Sequence, residues 1–278
     1  MVRIYLSVLL VALLLICNLN AKPNQQIMPI NIDVYDKFDI QITTIKSQSG
    51  EKYLIYQAIP KGSKKYEKVL FILDGNAQFS IALNSVTDKT PPLIIAVGHD
   101  TNLAYDSKKR TRDYTPKAAG EEFSLGGGAD EFYRFIRDRV VPFVDIKFDI
   151  KDSEKSLFGH SFGGLFTLFA MLQNEDVFDN FFIASPSLWW GDSQILKGAL
   201  NEDKFKDRIR AKFVFVCVGE LEKRKGKTDK AGNLKANDLA KILKNSGVKS
   251  DFKLYLNQTH GSVIPLSIMD TLKYLSDH

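Results

Sequence analysis

Two runs near the start of the chain, FDIQITTI at residues 38–45 and KYLIYQAIP at 52–60, alternate apolar with polar positions and predict a pair of antiparallel strands. The next two apolar runs behave differently. VLFILDG (69–75) and PLIIAVG (92–98) are aliphatic almost throughout and end in glycine, which suits strands buried on both faces of a parallel sheet. Within 127–144, Phe132, Phe135, Ile136 and Val140 recur at helical spacing, with Asp130 near the start. A strand ending at Phe158 and a helix over 163–173 follow. The alternation then continues: NFFIASPS (180–187) and AKFVFVCVG (211–219) as strands, NLKANDLAKILKNSG (233–247) as a helix, DFKLYLN (251–257) as a strand and VIPLSIMDTLKYLSDH (263–278) as a closing helix. Strands that alternate with helices imply an α/β architecture, a mostly parallel sheet covered by helices on both faces. No stretch rich in Pro, Gly or Ser divides the pattern, so residues 22–278 are expected to form a single domain.

One apolar run lies outside this scheme. Arg3 precedes an apolar run from Ile4 to Cys17, and a polar exit reaches Ala21. This is the layout of a secretory signal, and the run is shorter than the roughly 20 residues a membrane span needs. Two outcomes stay open: cleavage after Ala21, which Leu19 makes imperfect, or retention of residues 4–17 as an inner-membrane anchor. Ile16 stands where a lipoprotein signal wants a small residue, which argues against lipidation at Cys17.

Export permits disulfides, yet Cys217 has no partner once the leader is gone, and its apolar surroundings make it core filler. Two cysteines and four histidines without ligand-like spacing argue against a metal site. The formal charge is +5, and loss of Arg3 with the leader leaves +4. Two basic runs, KKRTR at 108–112 and KRKGK at 223–227, are dense enough to draw an anion toward a neighbouring cleft. Export and the lack of a binding motif count against nucleic acid as a partner.

The chemistry centres on GHSFGG at 159–164. Gly159, Ser161 and Gly163 fit Gly-x-Ser-x-Gly between a predicted strand and a predicted helix, the setting of a nucleophile elbow, and Gly164 allows the helix to approach the strand closely. The bland alternative is a serine that merely caps the helix. A serine hydroxyl attacks only when a base takes its proton, which calls for a later histidine. His260, just past the last apolar strand, is the candidate; His160 would point away from Ser161, His99 precedes the serine, and His278 is terminal. An acid should follow the strand AKFVFVCVG, where Glu220 and Glu222 both stand, with Glu222 favoured. The developing oxyanion needs two donors, each worth about 3 kcal/mol of transition-state stabilisation. The N–H of Phe162 is one. The N–H of Asn76, in LDGNAQF, is the other, unless Asp74 and Gly75 form only a turn.

With these residues in place the chain resembles the esterase branch of the α/β-hydrolases, and within it the periplasmic esterases that open the trilactone ring of catecholate siderophores. The resemblance runs from Phe38 to the C-terminus and is carried by LDGNAQF (73–79), VGHDTNLAYDSKKRTRDYTP (97–116), GGADEFYRFI (127–136), GHSFGG (159–164), SPSLWW (185–190) and the His260–Gly261 pair. It implies a serine esterase that needs no cofactor and acts on an enterobactin-like siderophore, with Ser161 as nucleophile, His260 as base, Asn76 and Phe162 as oxyanion donors, and Arg110 in contact with substrate. Some members of the group work without an acid, which leaves the role of Glu222 open. His99 departs from the tyrosine-like residue expected after Val97 and Gly98.

An anionic ferric or free catecholate ligand would be met by cations and flat rings. Lys108, Lys109, Arg110 and Arg112 are expected in a connection between strand and helix at the serine's edge of the sheet, Lys223, Arg224 and Lys225 beside the acid, and Trp189 and Trp190 as stacking surfaces. Two rivals remain: an esterase for neutral carbohydrate or acyl esters, and a non-catalytic siderophore-binding protein built on the same scaffold. The intact elbow and histidine speak against the second.

Overall fold

The computed structural model describes residues 24–88, 90–198, 205, 209–222 and 232–278. The predicted leader and the run from Lys223 to Lys227 lie outside the described residues. No helix among the described residues is long and apolar enough to cross a membrane.

Eight strands form one sheet: β1 (Phe38–Lys46), β2 (Lys52–Pro60), β3 (Lys68–Ile72), β4 (Leu93–His99), β5 (Glu154–His160), β6 (Asn180–Ala184), β7 (Phe213–Gly219) and β8 (Ser250–Tyr255). Their order across the sheet is β1-β2-β4-β3-β5-β6-β7-β8. The pairs β1–β2 and β2–β4 are antiparallel, and every other pair is parallel. This is the α/β-hydrolase fold expected from the alternation of strands and helices.

The continuous aliphatic runs are explained by burial on both sides. Along β3, Val69 and Phe71 enter one core layer and Leu70 and Ile72 the other; β4 divides Leu93, Ile95 and Val97 from Ile94 and Ala96 in the same way. Helix α1 (Gly75–Asn84) and α7 (Val263–Asp277) cover the second layer, through Phe79, Leu83, Ile268 and Leu272. Helices α3 (Ala129–Phe135), α5 (Phe162–Leu172) and α6 (Ala236–Asn245) cover the first, through Phe132, Phe166 and Leu239. Each such side chain, fully buried, contributes about 2 kcal/mol.

Three of the differences from the sequence expectation have a local cause. Strand β5 continues through Gly159 and His160, because those residues still pair with Ile183 and Ala184 of β6. The helix expected over 127–144 is α3, a π-helical turn at Ile136–Val140, and α4 (Val141–Phe148). Pro142 has no N–H to give to the preceding turn and its ring crowds that turn's carbonyl, which a locally wider helix relieves. The third difference bears on function. Lys108, Lys109, Arg110 and Arg112 do not lie in a loop but on helix α2 (Ser107–Tyr114). Asp106 caps it by accepting the Lys109 N–H at 3.0 Å. Its buried face is Arg110, Asp113 and Tyr114, so the apolar period that reveals most helices is missing.

Candidate active site

Parallel strands bring their C-terminal ends to one edge of the sheet, and the loops leaving those ends converge there. Asp74–Asn76 follow β3, Ser161 follows β5, Ser185 and Ser187 follow β6, Glu222 follows β7 and His260 follows β8. Ser161 sits at the tip of a sharp turn with φ 62° and ψ −117°, a conformation costly for a residue other than glycine. The turn is pinned by Ser161 N–H to Ala184 O, and by Leu165 N–H and Ser187 N–H to Ser161 O, each 3.0 Å.

Not all glycines of the motif matter for the same reason. A Cβ on Gly159 would lie 2.2 Å from Gly163 O, and one on Gly164 would lie 2.6 Å from Ala184 O. At Gly163 the nearest atom would be 3.6 Å away, an ordinary contact. Close approach of α5 to β5 and β6 therefore depends on Gly159 and Gly164.

Ser161, His260 and Glu222, spread over about a hundred positions of sequence, meet in one chain of hydrogen bonds. His260 Nε2 lies 2.9 Å from Ser161 Oγ, and His260 Nδ1 lies 2.8 Å from Glu222 Oε2. The other carboxylate oxygen of Glu222 accepts the Ser185 hydroxyl at 2.5 Å and the Gly219 N–H at 2.8 Å. Burial alone would raise the Glu222 pKa, but the hydrogen bonds from His260, Ser185 and Gly219, with the charge His260 can carry, outweigh it and hold the carboxyl below its ordinary range. Glu220 is turned elsewhere, accepting the Asn257 N–H at 2.9 Å. Of the two glutamates, Glu222 is the one that meets His260.

The His160 ring lies 4.5 Å from that of His260, centroid to centroid, and reaches the His260 backbone as a hydrogen-bond partner. The sequence reading set this residue aside and missed that contact. Burial first, then the nearness of His260 and Arg110, push the His160 pKa well below the ordinary imidazole range, so the ring is neutral.

Asn76 and Phe162 both stand in the first turn of a helix, where backbone N–H groups lack an intrahelical acceptor, and neither N–H has a backbone acceptor among the described residues. Neither first turn carries an acidic residue. Two helix N-termini therefore aim free donors and positive dipole ends at the serine's edge of the sheet. The Asn76 side chain fastens its loop to β4: Oδ1 accepts the His99 N–H at 2.9 Å, and Nδ2 donates to His99 O and Thr101 O at 3.0 Å. A Cβ at Gly98 would fall 2.4 Å from Asn76 Oδ1, which accounts for the glycine.

The residues expected to meet substrate fare differently. Arg110 is buried, its fork closed on Asp74. Arg112 is half-exposed but binds Asp113 at 2.6 Å and faces a cavity of about 240 Å³ lined by Glu51, Tyr53 and Phe135, without Ser161, Glu222 or His260. Trp190 is core: it is 3% exposed, donates its indole N–H to Pro116 O at 2.8 Å, and packs on Phe123 and Phe162. Trp189 alone of the pair reaches the open side, lining a cavity of about 170 Å³ with Ser185, Leu188 and Glu222. His99, which stands where a tyrosine-like residue was expected, is buried and bound to Asp113 at 2.9 Å.

The family model described as "Putative esterase" matches residues 48–263. Apo-salmochelin esterase of Escherichia coli O6:H1 is 29% identical over 285 residues, covering 95% of this chain and 89% of that protein. The siderophore enterobactin esterase of Emericella nidulans is 30% identical over 254 residues, covering 77% and 84%. Among solved structures, the BES protein from Bacillus cereus superposes with a TM-score of 0.75 at 28% identity, covering 92% of this chain and 98% of that one.

Proposed function

Since the chain belongs to this esterase family, we propose that it is a serine hydrolase acting on the trilactone backbone of an anionic catecholate siderophore of the enterobactin type, exported to the periplasm by its apolar leader. The observation that carries the catalytic part is the unbroken path from Ser161 Oγ through His260 to Glu222, at 2.9 and 2.8 Å. The substrate class rests on the siderophore esterases among its relatives.

In this reading Ser161 Oγ attacks a lactone carbonyl while its proton passes to His260 Nε2. Glu222 holds His260 in the tautomer that leaves Nε2 free to accept, and stabilises the imidazolium once it forms. The oxyanion takes hydrogen bonds from Asn76 N–H and Phe162 N–H. His260 returns the proton to the departing ester oxygen, giving a ring-opened acyl-enzyme. Water, deprotonated by the same histidine, then releases a carboxylate and restores the Ser161 hydroxyl.

A second reading, an esterase for neutral acyl esters, is favoured by one feature: Asp74 and Asp113 neutralise two of the cations that an anionic ligand would seek. Hydrolysis of ferric and iron-free enterobactin, read by mass spectrometry, against feruloyl, acetyl and p-nitrophenyl esters decides between them. Preference for the catecholate trilactone is expected, and preference for small neutral esters would discard it. Ser161→Ala should lower turnover about a million-fold while leaving ligand binding near normal.

A further inference from the structure

Arg110 is a charged residue with 7% of its side chain exposed, on a helix whose other cations, Lys108, Lys109 and Arg112, are exposed or half-exposed. Its Nε donates to Asp74 Oδ1 at 2.5 Å and its Nη2 to Asp74 Oδ2 at 2.8 Å. A carboxylate held by both prongs of a guanidinium has little freedom to rotate or slide. The flat guanidinium is also sandwiched among rings, 5.3 Å from the centre of Tyr105, 5.6 Å from Tyr114 and 5.9 Å from Phe162.

Both ends of this arrangement belong to the oxyanion site. Asp74 has a left-handed backbone, φ 54° and ψ 43°, and stands two residues before Asn76. Its N–H is bound by the Tyr114 hydroxyl at 3.1 Å, and its carbonyl accepts the N–H groups of Ala77 and Gln78 at 3.0 and 2.9 Å. That hydrogen bonding takes up the neighbours of Asn76 and leaves the Asn76 N–H unclaimed. At the other end, Phe162 carries the second donor on its own backbone, and Asp74 Oδ2 lies near the start of α5, 3.6 Å from where a Cβ on Gly163 would be. One side chain on α2 therefore touches the loop after β3 through an ion pair and the elbow after β5 through an aromatic face.

Building on the reading of Asn76 and Phe162 as oxyanion donors, we infer that Arg110 is a positioning residue that sets the separation of the two donor-bearing loops, and is not a substrate contact. A buried ion pair is a poor source of stability, because desolvation takes back much of the attraction, so its presence here is better explained by the geometry it imposes. Lysine cannot replace it: an ammonium neither grips a carboxylate with two parallel bonds nor presents a flat face to Phe162.

The test uses two substrates, p-nitrophenyl acetate, small and neutral, and the anionic catecholate trilactone, with two variants of the full-length protein. Arg110→Lys keeps the charge and removes the fork. Asp74→Asn combined with Arg110→Gln removes both charges and leaves polar groups in place. A misplacement of about 1 Å costs on the order of 100-fold in rate, so kcat is expected to fall about that much on both substrates, with KM within threefold and an unchanged thermal transition in at least one variant. A rise in KM confined to the anionic substrate would make Arg110 a substrate contact and overturn the inference. So would a kcat within threefold of the parent on the neutral ester, or the failure of both variants to fold, which would make the pair a folding element. If the parent protein cleaves the neutral ester and ignores the trilactone, the proposed substrate fails while the neutral ester still tests Arg110.

Discussion

The carboxylate of Glu222 illustrates how a single residue's environment settles its part in the site. Three hydrogen bonds, from His260, the Ser185 hydroxyl and the Gly219 N–H, keep it ionised despite burial. Glu222→Gln preserves the shape but presents either an amide N–H or a neutral oxygen to His260. With the orienting charge gone, kcat is expected to fall by up to about 10⁴-fold with KM little changed, by analogy with other serine triads. Steady-state kinetics check this, and a kcat within threefold of the parent would leave Ser161 and His260 working as a pair. Which glutamate meets His260 was half legible in the sequence. The strand ahead of it was plain from its apolar run, but Glu220 and Glu222 both follow that strand, and only the turn beyond Gly219 decides which one faces His260. Arg110 was read less well. A cation in a polar stretch reads as a ligand for an anion, and nothing nearby in sequence announces that Asp74, on another element, occupies it.

At the level of elements, the approach of α5 to the sheet makes a contrast that kinetics and stability measurements can resolve. Gly164→Ala drives a methyl to 2.6 Å from Ala184 O, a backbone atom of β6 that cannot swing aside. A loss of about 1–3 kcal/mol is expected, read from urea midpoints, together with a drop in activity as Ser161 is displaced. Gly163→Ala meets nothing closer than 3.6 Å, and because alanine favours a helix over glycine its stability should match or exceed the parent by up to about 1 kcal/mol. Equal losses in the two variants would show that this account of the packing is wrong. Elements with an apolar period, such as the strands β3 and β4, were legible because burial on both faces leaves an unmistakable run. Helix α2 was not, since its inward face is an ion-paired arginine, an aspartate and a tyrosine, and hydropathy alone registers such a segment as a solvated loop.

Across the whole molecule, Asp113 ties α2 to the first strands of the sheet. It accepts the Tyr53 hydroxyl and His99 Nε2, each at 2.9 Å, and the Arg112 Nε–H at 2.6 Å. Burial works against its charge, but those bonds and charges prevail and hold its pKa below 3.8. Because the folded state binds the Asp113 proton less readily than the unfolded chain, this contribution to stability is fully present above about pH 4 and is lost as pH falls through the depressed folded value. Asp113→Asn should therefore cost about 3 kcal/mol or more at pH 7, where it breaks a buried charged cluster. The gap between variant and parent should narrow by pH 3; a gap independent of pH would refute the assignment. By itself the sequence determined the succession of the eight strands, the tight turn at Ser161 and the order in which Ser161, Glu222 and His260 follow one another, since these are written in local periodicity and in glycines a tight turn requires. Only the tertiary structure decided which glutamate faces His260, that Trp190 is core, and that Arg110 closes on Asp74. Those outcomes depend on which partner lies across the sheet edge, and strand order, not spacing along the chain, sets that distance.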